Sequence, residues 1–223
     1  MNQTIRKLLF FVIIQVIFYN LLYILFIPEI YTILPYITAL AVYYIITFLD
    51  TMLRPLQDEE RDPESDKYTI ILILIFLSNP IFLILAVFER KVLIQPYFSV
   101  WNNVYLSLLG IIIFAISGII TILGRLQLGK YATGKLSIQE EHELIEKGLY
   151  KYIRHPIYAG GILGGFSFLI AFNSVLITIL YTILLFYVLN QRANYEETIL
   201  QEKFGQKYAN YQKRTKRYFP WLY

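Results

Sequence analysis

The stretch IYAGGILGGFSFLIAFNSVLITILYTILLFYVL, Ile157 to Leu189, decides how this chain is built. Its 33 residues carry no charge. One spanning helix needs about 20 apolar residues, because the hydrocarbon core of a bilayer is about 30 Å thick. The stretch is too long for one crossing, and Asn173-Ser174 sits at its midpoint. It reads as a tight hairpin of two short helices.

Four further apolar runs precede it. Leu8 to Ile27 ends before Pro28, and Tyr31 to Leu49 has Pro35 near its start, where proline is tolerated. Thr69 to Phe88 holds Asn79-Pro80 in its middle, which predicts a kink. Val104 to Leu123 is the fourth. The expectation is an all-α polytopic transmembrane protein with about six crossings. Arg6-Lys7 followed by an apolar run resembles a signal peptide, but the run has full spanning length and no small-residue cleavage site follows, so an uncleaved first helix is expected.

Composition agrees. The chain is 57% hydrophobic and only 16% charged, with a mean hydropathy of +0.53. Soluble domains carry about 25% charged residues. A disordered chain is excluded and a soluble enzyme disfavoured. With no cysteine there is no disulfide or thiol nucleophile, and two histidines exclude a His-rich metal cage. No metal is expected.

Lys and Arg accumulate on the cytoplasmic side of membrane proteins. With both termini inside, 18 of the 20 basic residues and 14 of the 16 acidic ones fall on that side. Only Glu29, Glu89, Arg90 and Lys91 fall on the other. Reading 157–189 as one crossing would put the seven basic residues from Arg192 to Arg217 outside. The six-crossing reading therefore carries a single cytoplasmic polar cap. Asp58 to Asp66 reads as a solvated connector.

Two parts of that cap can carry chemistry. The segment from Gly124 to Pro156 is long for a plain connection and holds both histidines, His142 and His155. In the tail, Arg192 and Glu196 share a helix face at i, i+4, and Glu197 follows. Two adjacent glutamates close to hydrocarbon need a partner, which a cationic ligand, Arg192 or Arg154 would supply. Blander readings exist. An exposed Arg192–Glu196 pair is worth about 0.3–0.5 kcal/mol and no more. His155-Pro156 simply starts a helix with proline at N1. Gly160, Gly161, Gly164 and Gly165 form small-xxx-small pairs for close helix packing. Tyr208 and Tyr211 read as interfacial aromatics, and Lys213 to Arg217 as an anionic-lipid or positive-inside anchor.

The combination is more specific than its parts. HELIEKGLYKYIRHPIYAGG, His142 to Gly161, together with RANYEETILQEKFGQKYANYQKRTKRYFP, Arg192 to Pro220, resembles the isoprenylcysteine carboxyl methyltransferase family and the related phospholipid methyltransferases. The resemblance spans roughly Gly124 to Pro220. The four apolar runs make residues 1–123 a block of four N-terminal transmembrane helices, matched only as generic hydrophobic spans, and the resemblance makes residues 124–223 the catalytic region. It implies S-adenosylmethionine as cofactor, bound at the cytoplasmic face. Residues His142, Glu143, Leu144, Ile145, Tyr150, Arg154, His155, Pro156, Ile157, Tyr158 and Glu196 would line that site, and Arg192 would face the methyl acceptor. Two departures stand out. Leu149 replaces a proline common in relatives, and a tryptophan often found after the Gly124-Arg125 pair is absent.

The residue types suit methyl transfer. A carboxylate such as Glu196 can pair with the cofactor's ammonium. Aromatic faces such as Tyr150 and Tyr158 can stack on adenine or meet a sulfonium. Transfer to a carboxylate needs no general base, and Arg192 would orient such an acceptor by a bidentate pair. Transfer to an amine needs one, for which Glu197 or His155 are candidates. The expected acceptor is a lipophilic small molecule or lipidated peptide, most simply a prenylcysteine-like carboxylate, entering near the Ile157–Phe172 helix. Membrane lipids are expected partners and nucleic acid is not. Alternatives are a phospholipid N-methyltransferase, an NADPH-dependent reductase of sterol-like substrates and a non-enzymatic scaffold. The Glu196-Glu197 pair speaks against the reductase, whose cofactor phosphate would want cations there.

Overall fold

The computed structural model describes residues 3–53, 63–94, 103–132 and 143–220. Among the described residues the α-helices are α1 (Gln3–Phe26), α2 (Leu34–Met52), α3 (Pro63–Glu89), α4 (Val104–Leu128), α5 (Pro156–Ile170), α6 (Leu176–Phe204) and α7 (Gln206–Arg214). The described residues hold no strand, only one isolated parallel bridge between Ile153 and Lys216. Among the described residues, four segments are long and apolar enough to cross a membrane: Leu34–Met52, Ile73–Leu93, Val104–Tyr131 and Leu176–Phe204. Val12–Phe26 and Pro156–Ile170 are shorter apolar helices.

The hairpin forms where the sequence predicts it. The chain breaks between Ile170 and Leu176, and Asn173 takes a left-handed φ of 59°. Asparagine tolerates that region better than a branched side chain would. The turn is held from outside. The Asn173 amide donates to the Ser107 hydroxyl on α4 at 2.7 Å. Glu89, at the end of α3 and only 3% exposed, accepts the backbone N–H groups of Val175, Leu176 and Ile177 at 2.9–3.0 Å and the Ser174 hydroxyl at 2.6 Å. A carboxylate there satisfies the orphan donors of α6 and opposes its dipole. Beside it, the Arg90 guanidinium lies 5.2 Å from the Tyr36 ring centroid, and Tyr36 packs on Phe172.

The tightest seam joins α4 to α5. A Cβ on Gly160 would collide with the Thr121 hydroxyl and lie 2.8 Å from the Ser117 carbonyl oxygen. One on Gly110 would lie 2.6 Å from the backbone nitrogen of Ala171. Gly165 faces the other way, against Leu185 and Tyr181 of α6. Small residues let these backbones approach, as dispersion packing between helices in lipid requires. The α4–α5 seam is thereby closed along its glycine face. In the middle of the bundle Asn79 links three helices, accepting from Tyr181 at 2.5 Å and donating to Tyr43 at 3.4 Å.

Several boundaries differ from the expectation. Helix α3 begins at Pro63, inside the acidic segment, and runs on through Pro80. Helix α4 extends to Leu128. Helix α6 does not stop with the apolar run at Leu189 but continues to Phe204. At about 1.5 Å per residue its 29 residues reach about 43 Å, well beyond a hydrocarbon core. That extension carries Arg192, Glu196 and Glu197. Gly205 then reverses the chain with φ 48° and ψ −123°, a conformation that a Cβ disfavours, and α7 folds back.

Candidate functional site

The site lies at the end of the bundle opposite the hairpin turn, where α5 starts and α6 overruns. Pro156 occupies the first turn of α5, so His155 is its N-cap. From there His155 and Tyr158 point at α6. The His155 ring lies parallel to that of Tyr158, with centroids 5.2 Å apart and an interplanar angle of 1°. Two carboxylates of α6 hold the imidazole. Its Nε2 is 2.9 Å from Glu197 Oε1, and its Nδ1 is 3.5 Å from Glu196 Oε2. Burial alone would lower the His155 pKa, but the bonds to Glu196 and Glu197 outweigh it and raise it above the usual value.

Arg192 and Glu196 are no exposed helix pair. Arg192 is 4% exposed, and its Nε donates to the Tyr158 hydroxyl at 2.8 Å. That hydroxyl donates in turn to Glu196 Oε2 at 2.8 Å. Arg192, Tyr158, Glu196 and His155 therefore form one continuous polar chain across α5 and α6.

Glu197 is the most heavily bonded group of the cluster. Its oxygens accept from Arg154 Nε at 2.9 Å, from Arg217 Nε and Nη2 at 3.2 and 2.7 Å, and from Gln212 Nε2 at 3.2 Å, besides meeting His155. These donors come from the loop before α5, from α7 and from the segment after α7. Arg217 also donates to Asn190 and Asn194 of α6 at 3.0 and 2.7 Å. Backbone bonds complete the strap: Arg154 N–H to the Lys216 carbonyl at 2.8 Å, His155 N–H to that of Arg217 at 3.0 Å, and Lys216 N–H to that of Tyr152 at 3.0 Å.

The loop before the site is anchored to α4. Gly148 has φ 60° and packs on the Gln127 side chain, which leaves no room for a Cβ. The Gln127 side-chain oxygen Oε1 accepts the Leu149 N–H at 2.7 Å. Arg125 Nε pairs with Asp50 of α2 at 2.6 Å, and its Nη1 donates to the Ala132 carbonyl at 3.1 Å. Tyr150 is buried, and burial pushes its phenol pKa well up. Its carbonyl accepts the Tyr211 hydroxyl at 2.7 Å.

Of the residues singled out from sequence, Arg154, His155, Tyr158, Arg192, Glu196 and Glu197 meet in one bonded cluster. Tyr150 adjoins it within electrostatic range of Glu196. Pro156 and Ile157 open α5 beneath it. Glu143, Leu144 and Ile145 lie in the extended approach, and Glu143 is exposed. Glu146, next in line, pairs with Arg214. His142 lies outside the described residues. Sequence reading missed Gln212 and Arg217. Arg217 sat in a run read as a surface anchor, yet its side chain is only 14% exposed. No spacing rule marks which residue of an irregular basic run turns inward. Tyr208 is fully buried beside Tyr211, and its hydroxyl has no hydrogen-bond partner among the described residues.

These features define a polytopic helical protein of membrane-spanning hydrophobicity with a buried imidazole–carboxylate–guanidinium site at one end. Residues 108–202 match the model of the isoprenylcysteine carboxyl methyltransferase (ICMT) family. The chain is 27% identical over 120 residues to a rice protein described as "Probable protein-S-isoprenylcysteine O-methyltransferase", an alignment covering 53% of this chain and 63% of the relative. It is 28% identical over 106 residues to "Protein-S-isoprenylcysteine O-methyltransferase" of Schizosaccharomyces pombe, covering 41% and 45%. The matched part thus spans less than two thirds of either relative. A solved structure titled as the eukaryotic intramembrane Ras methyltransferase ICMT superposes with a TM-score of 0.59 at 18% identity, covering 100% of this chain and 88% of that one. The two share a fold. The resemblance read from the two motif blocks is borne out.

Proposed function

We propose that the chain is an integral-membrane methyltransferase that moves a methyl group from S-adenosylmethionine to the carboxylate of a lipophilic, prenylcysteine-like acceptor. The observation that carries this reading is the continuous chain Arg192–Tyr158–Glu196–His155, which joins the two motif blocks at one end of the bundle. We place that end, with both termini, on the cytoplasmic side of a six-crossing fold, following the distribution of basic residues.

The residues present fit the cofactor. Glu196 Oε2 is held by Tyr158 and His155, while Oε1 takes no bond from a described residue and suits an ammonium. The buried hydroxyl of Tyr208 is a donor without an acceptor, which a ligand carboxylate or ribose oxygen would satisfy. When bound, the cofactor supplies an electrophilic methyl on a sulfonium. The protein's part is positioning and exclusion of water. Tyr158 fixes the plane of the Arg192 guanidinium, whose fork matches an acceptor carboxylate. Charge is neutralised as the ester forms, so no general base is required. Glu197 is a positioning residue in this scheme. A carboxylate that accepts from two guanidiniums, an amide and an imidazole is a poor base, and it serves instead to seat His155 and the C-terminal strap.

Purified protein titrated with S-adenosylhomocysteine and, separately, with NADPH tests the cofactor. Binding of the first alone supports the proposal. Binding of NADPH alone overturns it in favour of a reductase.

A further inference from the structure

A second polar feature lies on the outer side of the strap. A cavity of about 390 Å³ is lined by Arg154, Glu197, Gln212 and the whole run Lys213 to Arg217. Five cations thus surround one carboxylate. Arg154 and Arg217 are tied to Glu197, and Arg214 pairs with Glu146. Lys213 and Lys216 are exposed and have no acidic partner among the described residues. Counting only described residues, the lining therefore carries more positive than negative charge.

Its height along α6 says what the charge faces. Tyr218 packs edge-on against Phe186, with centroids 5.9 Å apart, and bonds Asn190. Phe186 and Tyr187 are exposed apolar residues of α6. Arg217 reaches Asn190 and Asn194, one and two turns further along. A helical turn is about 5.4 Å, and the headgroup zone beyond the hydrocarbon is about 6 Å thick on each side. The cationic cavity thus stands at the polar end of α6, beyond its exposed apolar face.

We propose that this cavity binds the phosphate of an anionic phospholipid, with Lys213 and Lys216 as its chief contacts. The cavity shares Arg154 and Glu197 with the bonded cluster, but the Lys213 and Lys216 side chains take no part in that cluster. The proposal rests on membrane embedding and not on the methyltransferase reading.

The test is native mass spectrometry of the full chain in neutral detergent with phosphatidylglycerol or phosphatidylcholine of equal chain length. The expected result is preferential retention of phosphatidylglycerol, weakened on the order of tenfold in the double variant Lys213→Gln, Lys216→Gln. S-adenosylhomocysteine affinity should stay unchanged in that variant, so a failed cofactor assay and a failed lipid assay are separable. Equal retention of the two lipids overturns the proposal. So does an equal loss in a Lys203→Gln, Lys207→Gln control, which would indicate only diffuse charge. Displacement by inorganic phosphate at a concentration equal to the lipid's would overturn the lipid as the occupant.

Discussion

His155 Nε2 and Glu197 Oε1 lie 2.9 Å apart, and this one contact ties the loop before α5 to the overrunning end of α6. The other described donors to Glu197 come from the same loop, from α7 and from the segment after α7, which together form the C-terminal strap. The strap is therefore part of the site. Glu197→Ala leaves the partly buried Arg154 and Arg217 without their anion, a loss of about 2–4 kcal/mol, somewhat below that for a fully buried pair. Arg217→Ala removes two of the donors and should cost about 2–3 kcal/mol. Limited proteolysis should cut the segment after α7 faster in both variants, and thermal unfolding in detergent should show the lowered midpoint. Unchanged protection of that segment would contradict the strap.

The imidazole makes stability depend on pH. Its folded pKa is raised above the usual 6.5 by the two glutamates. A group with a raised folded pKa contributes most when protonated in both states. Its contribution is full below about pH 6.5 and is lost as pH rises through the folded value. Thermal unfolding followed from pH 6 to 9 should show that decline, and His155→Gln should flatten it. An identical slope in the variant would remove His155 as its origin.

Tyr208 separates fold from function. Its hydroxyl is buried with no partner among the described residues, so Tyr208→Phe should leave stability unchanged or raise it by up to about 1 kcal/mol. If the hydroxyl meets the cofactor, the same variant should weaken S-adenosylhomocysteine binding about five- to tenfold. Unaltered affinity would leave Tyr208 as a packing residue only.

The α4–α5 seam sets where the site stands. Gly160→Val forces a branched side chain onto the Ser117 carbonyl and the Thr121 hydroxyl, and overpacking of this kind costs about 1–3 kcal/mol. Gly161→Ala should be mild, because its nearest neighbour is the Leu189 side chain at 3.6 Å. Comparing the two melting points checks the seam, and equal values would contradict it.

Much of this was legible in sequence because it rests on local rules. The Ile157–Leu189 run is longer than a bilayer is thick, and Asn173 at its centre is a residue that accepts a left-handed turn. Pro156 after His155 marks a helix start. The joint occurrence of the two motif blocks led to the cluster at the start of α5. Other parts depend on contacts between distant segments. Glu89 stands in a short charged break between apolar runs, and nothing in its neighbours says that it caps α6. Hydropathy ended the last span at Leu189, because an amphipathic extension beyond the membrane has no apolar signature. Arg217 looks like its cationic neighbours until the strap folds back onto α6.

The central claim is the reaction, and the most direct test is transfer of labelled methyl by the full chain in lipid. The substrates are S-adenosylmethionine and an N-acetylated farnesylcysteine. The account predicts a base-labile methyl ester on the acceptor. Arg192→Lys should lower kcat/KM about a hundredfold, because the ammonium cannot form the fork, while S-adenosylhomocysteine affinity changes less than about threefold. Cofactor binding with no label on the carboxylate, or label that resists base, would contradict the prenylcysteine-like acceptor, and an Arg192→Lys variant with full activity would contradict the role given to Arg192.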